Sequence, residues 1–364
     1  MTWRRAAAGG FATVGLCLIL ASAAQAQTSR VAFDVVAAVN GVKGSTPRRE
    51  AGVWFDLFAA VRISDGLDIV ARPILTRRPF DGVWQKQIYQ LGLRYERPSA
   101  TPAGIGFRLE AGQMPSPIGI AMLENRSDLN PLVSQHSAYY LPIPRNIAID
   151  LPRVFLIAGN YPLGAQATVS SRVWDARVAI VDSSPIRGRG FFGANKPPRL
   201  ANLVLGAGVT PRVGLRLGAA FAQGAWAAAS EMPDPSRGDR MATMMQVEAE
   251  WSFGYTKITG ELIRSAFETL RADSLIRGGW IEATQTLAPR LFVASRFDSQ
   301  QVDYQRAGFV TFMTQHYERF EAIAGFRITP DLTLRGGYMV RKGYVVSHWD
   351  DQVIGSVVFQ RKIF

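Results

Sequence analysis

The sequence predicts an all-β protein, a transmembrane antiparallel up-and-down β-barrel, and three observations support this fold class. Apolar and polar residues alternate with a period of two over many segments, such as 245–253 and 319–328. Tight turns and long polar connections follow one another in regular order, and no helical periodicity is sustained after residue 30. Strands with one apolar and one polar face, joined by short turns at one end and long loops at the other, are typical of outer-membrane barrels.

An export signal precedes the predicted barrel. Arg4 and Arg5 form a short basic region, residues 10–23 are apolar or small, and Ala24-Gln25-Ala26 matches a signal-peptidase site. We therefore predict a secretory signal peptide over 1–26 and a barrel over 27–364, with an N-terminal membrane anchor as the alternative. Cleavage removes the single cysteine and lowers the formal net charge from +12 to +10.

The turns and loops give the strand number. Sixteen candidate strands lie between residues 31 and 364, and the fifth, sixth and seventh are 104–113, 153–159 and 165–181. Fourteen or eighteen strands are open alternatives, because the signal of a single barrel strand is weak. With sixteen strands, both ends of the barrel chain fall on the short-turn side.

The polar faces of the predicted strands carry both charges in equal number, and a sixteen-strand barrel is wide enough for these side chains to face water. The inward basic residues are Lys86, Arg94, Arg108, Arg177, Arg216, Lys257, Arg296, Arg327 and Arg335. The inward acidic residues are Glu96, Glu110, Asp175, Glu248, Glu250, Glu261, Glu282, Asp298 and Glu321. This balance predicts a weak anion preference at most, with the excess positive charge in loops and rims, where arginines also bind lipid phosphates.

Residues 114–152, which follow the fifth strand, form the longest stretch without clean alternation. A loop of this length in a compact protein usually has a function or is disordered, and this one is too apolar for disorder. We expect it to fold into the lumen as a constriction, with Glu124, Arg126, Asp128 and Arg145 setting the local field. Packing against a neighbouring subunit is the alternative.

One segment resembles a known family. Residues 107–114, followed by Ser116-Pro117-Ile118-Gly119 and Glu124, resemble the strand-then-loop segment of the phosphate-selective porin O and P family. The resemblance implies a sixteen-strand barrel, a homotrimer in the lipid of the outer membrane, and conduction of small solutes; the final Phe364 also fits. Phosphate specificity is not carried over, because the family's lysine-rich phosphate site is not found in this sequence, which has six lysines against 33 arginines after residue 26. A further departure is Ile118, where the family often has an aromatic residue.

These patterns predict an outer-membrane diffusion porin for small hydrophilic solutes, with no cofactor, no metal and no nucleic-acid partner. The alternatives are a selective channel for phosphate or carboxylates, a closed structural or adhesion barrel, and a barrel hydrolase. Little favours an enzyme, because the three histidines have no metal-binding spacing and no P-loop or G-x-S-x-G motif is present. His136 and Ser137 are adjacent, so on a strand they would point to opposite faces.

Overall fold

The computed structural model describes residues 30–44, 49–77, 82–101, 104–120, 122, 125–143, 154–157, 161–187, 202–231, 235–269, 273–305, 312–344 and 348–363. The predicted signal peptide, Glu124, Arg145 and Phe364 lie outside these ranges. Within them, no helix is both long enough and apolar enough to cross a membrane.

The described residues form sixteen antiparallel strands that close into one barrel, in which β1 pairs with β16. The predicted fold class is therefore confirmed. The strands are β1 Val31–Gly44, β2 Arg49–Ser64, β3 Leu67–Arg77, β4 Trp84–Arg97, β5 Gly106–Gln113, β6 Leu163–Ser170, β7 Trp174–Val181, β8 Asn202–Arg212, β9 Leu215–Ala227, β10 Arg240–Phe253, β11 Thr256–Phe267, β12 Ser274–Ala288, β13 Leu291–Gln305, β14 Phe312–Thr329, β15 Leu332–Lys342 and β16 Asp350–Lys362. One short helix, α1 (Ser137–Tyr140), and 3₁₀ turns at Ala229–Glu231 and Pro235–Arg237 lie in the connections.

Two of the predicted strands are wrong. The predicted range 153–159 contains no described strand, and the predicted single strand 165–181 is a hairpin of β6 and β7. The hairpin turns at Ser171, whose hydroxyl accepts hydrogen bonds from the backbone amides of Val173 and Trp174. A serine turn is a weaker sequence signal than glycine or proline. The two errors cancel, so the number of sixteen strands still agrees with the prediction.

The connections divide the barrel into two ends. Tight turns such as 65–66 and 213–214 join strands at the short-turn end, and the longer connections lie at the opposite, long-loop end. Gly66 and Gly214 adopt φ of 77° and 85°, and a Cβ at either position would press against a backbone oxygen of the next hairpin. Only glycine accepts this backbone without strain.

The outer surface of the barrel is an apolar belt. Large side chains on the outward face are exposed along every part of the wall, among them Leu93, Leu205, Val247, Leu262, Ile281, Phe320 and Val357. Trp174, Trp251, Phe253 and Tyr255 are exposed near the short-turn end. A closed barrel with an apolar exterior and flanking aromatic residues is the arrangement that a lipid environment requires.

Candidate functional site

The described residues of 114–143, which are 114–120, 122 and 125–143, lie inside the barrel, and we call them the lumen segment. Its Asn125 side chain accepts a hydrogen bond of 3.1 Å from Arg72 on β3. On the opposite side of the barrel, Glu261 of β11 accepts hydrogen bonds from the backbone amide of Ile120 and, at 3.0 Å, from the hydroxyl of Tyr139. A segment that reaches both walls must cross the lumen.

Inward carboxylates hold the backbone amides of the lumen segment. Glu321 on β14 accepts hydrogen bonds from the amide of Val133 at 2.8 Å and from that of Ser134 at 3.2 Å. Asp298 on β13 accepts from the amide of Ser137 at 3.0 Å and from its hydroxyl at 2.9 Å, at the start of α1. Hydrogen bonds to an ionised acceptor are about twice as strong as neutral ones.

Inward arginines hold the carbonyl groups of the same segment. Arg296 donates to the carbonyl of Ser134 at 2.7 Å, and Arg319 donates to that of Gln135 at 2.6 Å. Arg335 on β15 donates to the carbonyl of Leu132 at 2.9 Å. The wall thus satisfies both backbone donors and backbone acceptors within residues 132–137.

The wall charges under the lumen segment form one buried cluster. Arg296 lies 3.2 Å from Asp298, 3.3 Å from Glu282 and 3.7 Å from Glu321, and its side chain is fully buried. The expectation that these inward charges face water is therefore wrong. The lumen segment covers them, and complete pairing offsets the cost of removing them from water.

Several inward charges of the short-turn half retain contact with solvent, although Glu248 is buried. Arg108 and Glu96 form a 3.2 Å pair whose side chains are 44% and 45% exposed. Three more ion-pair groups lie in this half. Arg94 pairs with Glu110 at 2.9 Å, and Lys257 pairs with Glu250 at 3.1 Å. Arg216 pairs with Asp175 at 3.0 Å and with Glu248 at 2.5 Å, and Glu248 also lies 3.9 Å from Arg177. The guanidinium of Arg327 lies 5.1 Å above the ring of Phe292.

A small cavity of about 290 Å³ separates the lumen segment from this half of the wall. Its lining includes residues 127–131 of the segment and, on the wall, Lys257, Glu282, Arg327 and Arg335. Acidic and basic side chains therefore both line this cavity.

Arg126 and Asp128, which we expected to set the field of a constriction, are paired with each other at 2.8 Å. Arg126 also lies 3.5 Å from Asp34 on β1. Both side chains are largely buried, so they anchor the segment to the wall. Glu124 and Arg145, the other two predicted residues, are outside the described ranges.

Sequence reasoning missed a second anchor. Arg72 on β3 contacts Asp56 on β2 at 2.5 Å, and its side chain also donates to the hydroxyl of Tyr161 at 3.1 Å. Tyr161 in turn accepts a hydrogen bond from Asn125 of the lumen segment. A signal was present, because Asp56 and Arg72 are isolated charges within otherwise apolar stretches of their strands.

An apolar core fills part of the long-loop end. Leu156, Ile157, Ile186 and Trp226 are fully buried and pack with inward side chains of the wall. These wall residues are Val181, Val204, Ala222, Met244, Ile263 and Ile276. The expectation of a water-filled lumen does not hold there, because the strands are apolar on both faces near this end and their inner face needs an apolar cover.

Lys86 is not an inward residue. Tyr89 and Gln90 of β4 are consecutive and both buried, and the pairing with β3 shifts between Arg72 and Pro73. This β-bulge places Lys86 on the outward face with Ile88. Proline has no amide to donate to the ladder, so strands accommodate it at such irregularities.

Comparison with known proteins supports the fold. No protein-family model matches the sequence, and no curated protein sequence matches it. The structure is similar to Salmonella typhi OmpF, solved with daunomycin, at 12% identity and a TM-score of 0.57, covering 91% of this chain and 97% of that one. It is also similar to the outer membrane channel DcaP of Acinetobacter baumannii, at 11% identity and a TM-score of 0.57, covering 91% and 96%.

A third similar structure is OmpT, an outer membrane protein of Vibrio cholerae, with 8% identity, a TM-score of 0.57, and coverage of 92% of this chain and 99% of that one. The chain has the fold of outer-membrane porins. The prediction of an outer-membrane location is confirmed at the level of this fold. The likeness to the phosphate-selective porin O and P family stays a resemblance, since no family model matches.

Proposed function

We propose that this protein is an outer-membrane channel for small hydrophilic solutes, in which the lumen segment sets the size of the solute that passes. The observation that supports this most strongly is the position of residues 114–143. They cross the lumen and are held by wall residues on both sides, including Arg72, Glu261 and Glu321. The remaining passage is bordered by polar and charged side chains in the short-turn half.

Weak charge selectivity is part of this proposal. The solvent-exposed charges of the short-turn half include both signs, as in the pair of Arg108 and Glu96. The net positive charge of the chain favours anions modestly. Selectivity for phosphate or carboxylates is not proposed, because Arg296, Arg319 and Arg335 are occupied by carboxylates or by carbonyl groups of the lumen segment.

A closed structural barrel is the second candidate, and the apolar core of the long-loop end favours it. Fully buried side chains such as Leu156 and Trp226 leave no space for water where they pack. In this case the lumen segment would be a permanent plug.

Neither candidate includes catalysis. Ser137 gives its hydroxyl hydrogen bond to Asp298, and His136 packs on the ring of Trp280 with 4.2 Å between ring centroids. Neither ring nitrogen of His136 has a hydrogen-bond partner among the described residues. The two residues therefore do not form a nucleophile–base pair.

A homotrimer embedded in outer-membrane lipid is proposed as the assembly, on the resemblance described above and the apolar exterior of the barrel. Light scattering of the purified protein in detergent measures its mass directly. A mass equal to one chain would contradict the trimer without affecting the proposed channel.

The deciding experiment compares two refolded proteins in planar bilayers under a salt gradient. One is the chain from residue 27 onward, and the other has residues 118–140 replaced by a short Gly-Ser linker. We expect small, weakly selective current steps from the first and larger steps from the second. Heat-modifiable migration in gels verifies that both barrels are folded.

The other outcomes have definite meanings. Equal steps from the two proteins would show that the lumen segment does not limit conductance. Current only from the linker variant would favour the closed barrel. No current from either protein, both correctly folded, would contradict the channel.

A further inference from the structure

The outer wall carries a groove that differs from the rest of the apolar belt. The groove, of about 1310 Å³, follows β10, β11 and β12 on the outward face. Its lining includes Trp251, Ile258, Leu262 and Ile281, and it ends at Arg264 and Arg277. We call this feature the outer groove.

Glycine residues create the outer groove. In the register of β11 and β12, Gly260 is opposite Ile281 and Leu262 is opposite Gly279. Large side chains and glycines therefore alternate across the strand pair. Ala249 of β10, which is opposite Gly260, adds a further small side chain. The result is an apolar groove on the surface.

Two like charges occupy one end of the groove. Arg264 and Arg277 are directly opposite each other in the same strand pair, on the outward face. Arg277 pairs with Asp303 at 2.5 Å, whereas Arg264 has no ion-pair partner among the described residues. Like charges at directly opposed positions destabilise a sheet. A counter-anion between the two guanidinium groups would remove this cost.

The two arginines lie towards the long-loop end of the outward face. Both are in the half of their strands nearer the long-loop end, beyond Leu262 and Gly279 of the apolar belt. In outer-membrane barrels the long loops face the cell exterior. The outer leaflet on that side is built from acylated glycolipids that carry phosphate groups.

We propose that the outer groove binds one phosphorylated, acylated glycolipid of the outer leaflet. A phosphate group lies between Arg264 and Arg277, and an acyl chain follows the apolar floor over Ala249 and Gly260. Guanidinium groups suit this role because they bind phosphate in a bidentate manner.

The test measures bound lipid by native mass spectrometry on the refolded barrel in zwitterionic detergent. The probes are bisphosphorylated lipid A, its dephosphorylated form and phosphatidylglycerol. We expect the wild-type barrel to retain bisphosphorylated lipid A and to bind the other two more weakly. In the variant R264Q/R277Q the affinity for lipid A falls about 30-fold, because each basic residue near an anionic lipid contributes about fivefold.

Two further variants separate the parts of the site. K342Q is the matched control: Lys342 is on the same rim but is opposite Glu318, so its loss leaves lipid A binding unchanged. A249W fills the groove without touching the arginines and lowers the affinity for lipid A.

Several results would overturn the assignment. Equal binding of phosphorylated and dephosphorylated lipid A by the wild type would exclude a phosphate site, and this comparison needs no variant to fold. Equal binding of phosphatidylglycerol would exclude a glycolipid preference. A change in oligomeric mass of R264Q/R277Q would identify the groove as a contact between copies of this chain instead.

Discussion

The carboxylate of Glu321 accepts hydrogen bonds from both the backbone amide and the hydroxyl of Ser134, a residue 187 positions away in the chain. Glu321 belongs to the wall and Ser134 to the lumen segment, and the carboxylate is fully buried. Through this contact, an inward charge of a barrel strand fixes the position of the lumen segment. The inward charges of the central wall therefore form the binding sites for the lumen segment, and solvent reaches these charges only if the segment moves.

Replacing Glu321 should release the lumen segment. E321A removes the carboxylate that accepts hydrogen bonds from the amides of Val133 and Ser134 and that pairs with Arg296. The loss of one partner of a buried charge pair costs about 3–5 kcal/mol. We expect a lower melting temperature and larger, noisier single-channel steps. The control is E318A on the same strand, which lies on the outward face and should change neither quantity. An unchanged conductance in E321A would show that the Glu321 carboxylate does not hold the lumen segment in place.

The anchor of Arg72 should matter more for stability than an exposed pair of similar geometry. R72M leaves the carboxylate of Asp56 buried without its partner, which costs about 3–5 kcal/mol. R62M breaks the exposed pair of Arg62 and Asp68, where the expected loss is below about 1 kcal/mol. Thermal unfolding of both refolded variants measures the difference, and equal melting temperatures would contradict a structural role for the Arg72 anchor.

Acid should loosen the lumen segment through His136. Burial and the neighbouring Arg296 hold the pKa of this loop histidine well below its usual value of about 6.5. Arg319 also opposes its protonation, and Asp298 favours it. When the segment is released, His136 regains its ordinary pKa, so the released state binds a proton that the docked state does not. Docking is therefore fully stable above about pH 6.5 and weakens as the pH falls below it.

We expect conductance to rise between about pH 6.5 and pH 5, with a smaller change in H136F, which has a ring of similar shape and no proton to gain. H348F removes an exposed histidine of the long-loop end and serves as the control. A pH profile of H136F identical to that of the wild type would assign the acid response to other groups.

Selectivity should depend on exposed charges and not on buried ones. R108Q and R327Q remove positive charge from the solvent-accessible short-turn half, so the reversal potential should shift toward cation preference by a few millivolts each. R296Q removes a fully buried arginine and should lower the melting temperature by several degrees. A large selectivity change in R296Q with none in R108Q would place the ion path through the buried cluster.

Much of the barrel could be predicted because a wall with lipid on one side imposes alternation. The period of two placed Arg216, Glu248 and Glu321 on the inner face correctly. The exception is Lys86, which precedes a bulge at Tyr89 of β4, where the pairing with β3 shifts between Arg72 and Pro73. A one-residue insertion reverses the face of every side chain on its far side. The turn at Ser171 was missed for a related reason, since its hydroxyl provides the turn without glycine or proline.

The contacts of the site could not be predicted in the same way. Whether an inward charge meets water or protein depends on where residues 114–143 lie, and no pattern in the strands contains that information. The pairing of Asp298 with Ser137 spans 161 positions and joins a strand to a loop without periodicity. The apolar inner faces near the long-loop end were a usable signal, because an apolar lumen wall at Val204, Met244 and Ile276 requires a cover.

The lumen segment is anchored on both sides of the junction between β1 and β16. Arg126 contacts Asp34 of β1, and Arg335 of β15 binds the carbonyl of Leu132, 203 positions away. An open sheet, with its first and last strands apart, offers only part of this binding surface. The complete surface exists once the sheet has cyclised, so the segment stabilises the closed ring relative to an unzipped one. Docking of the lumen segment therefore depends on long-range contacts with the closed barrel, and it opposes separation of the first and last strands.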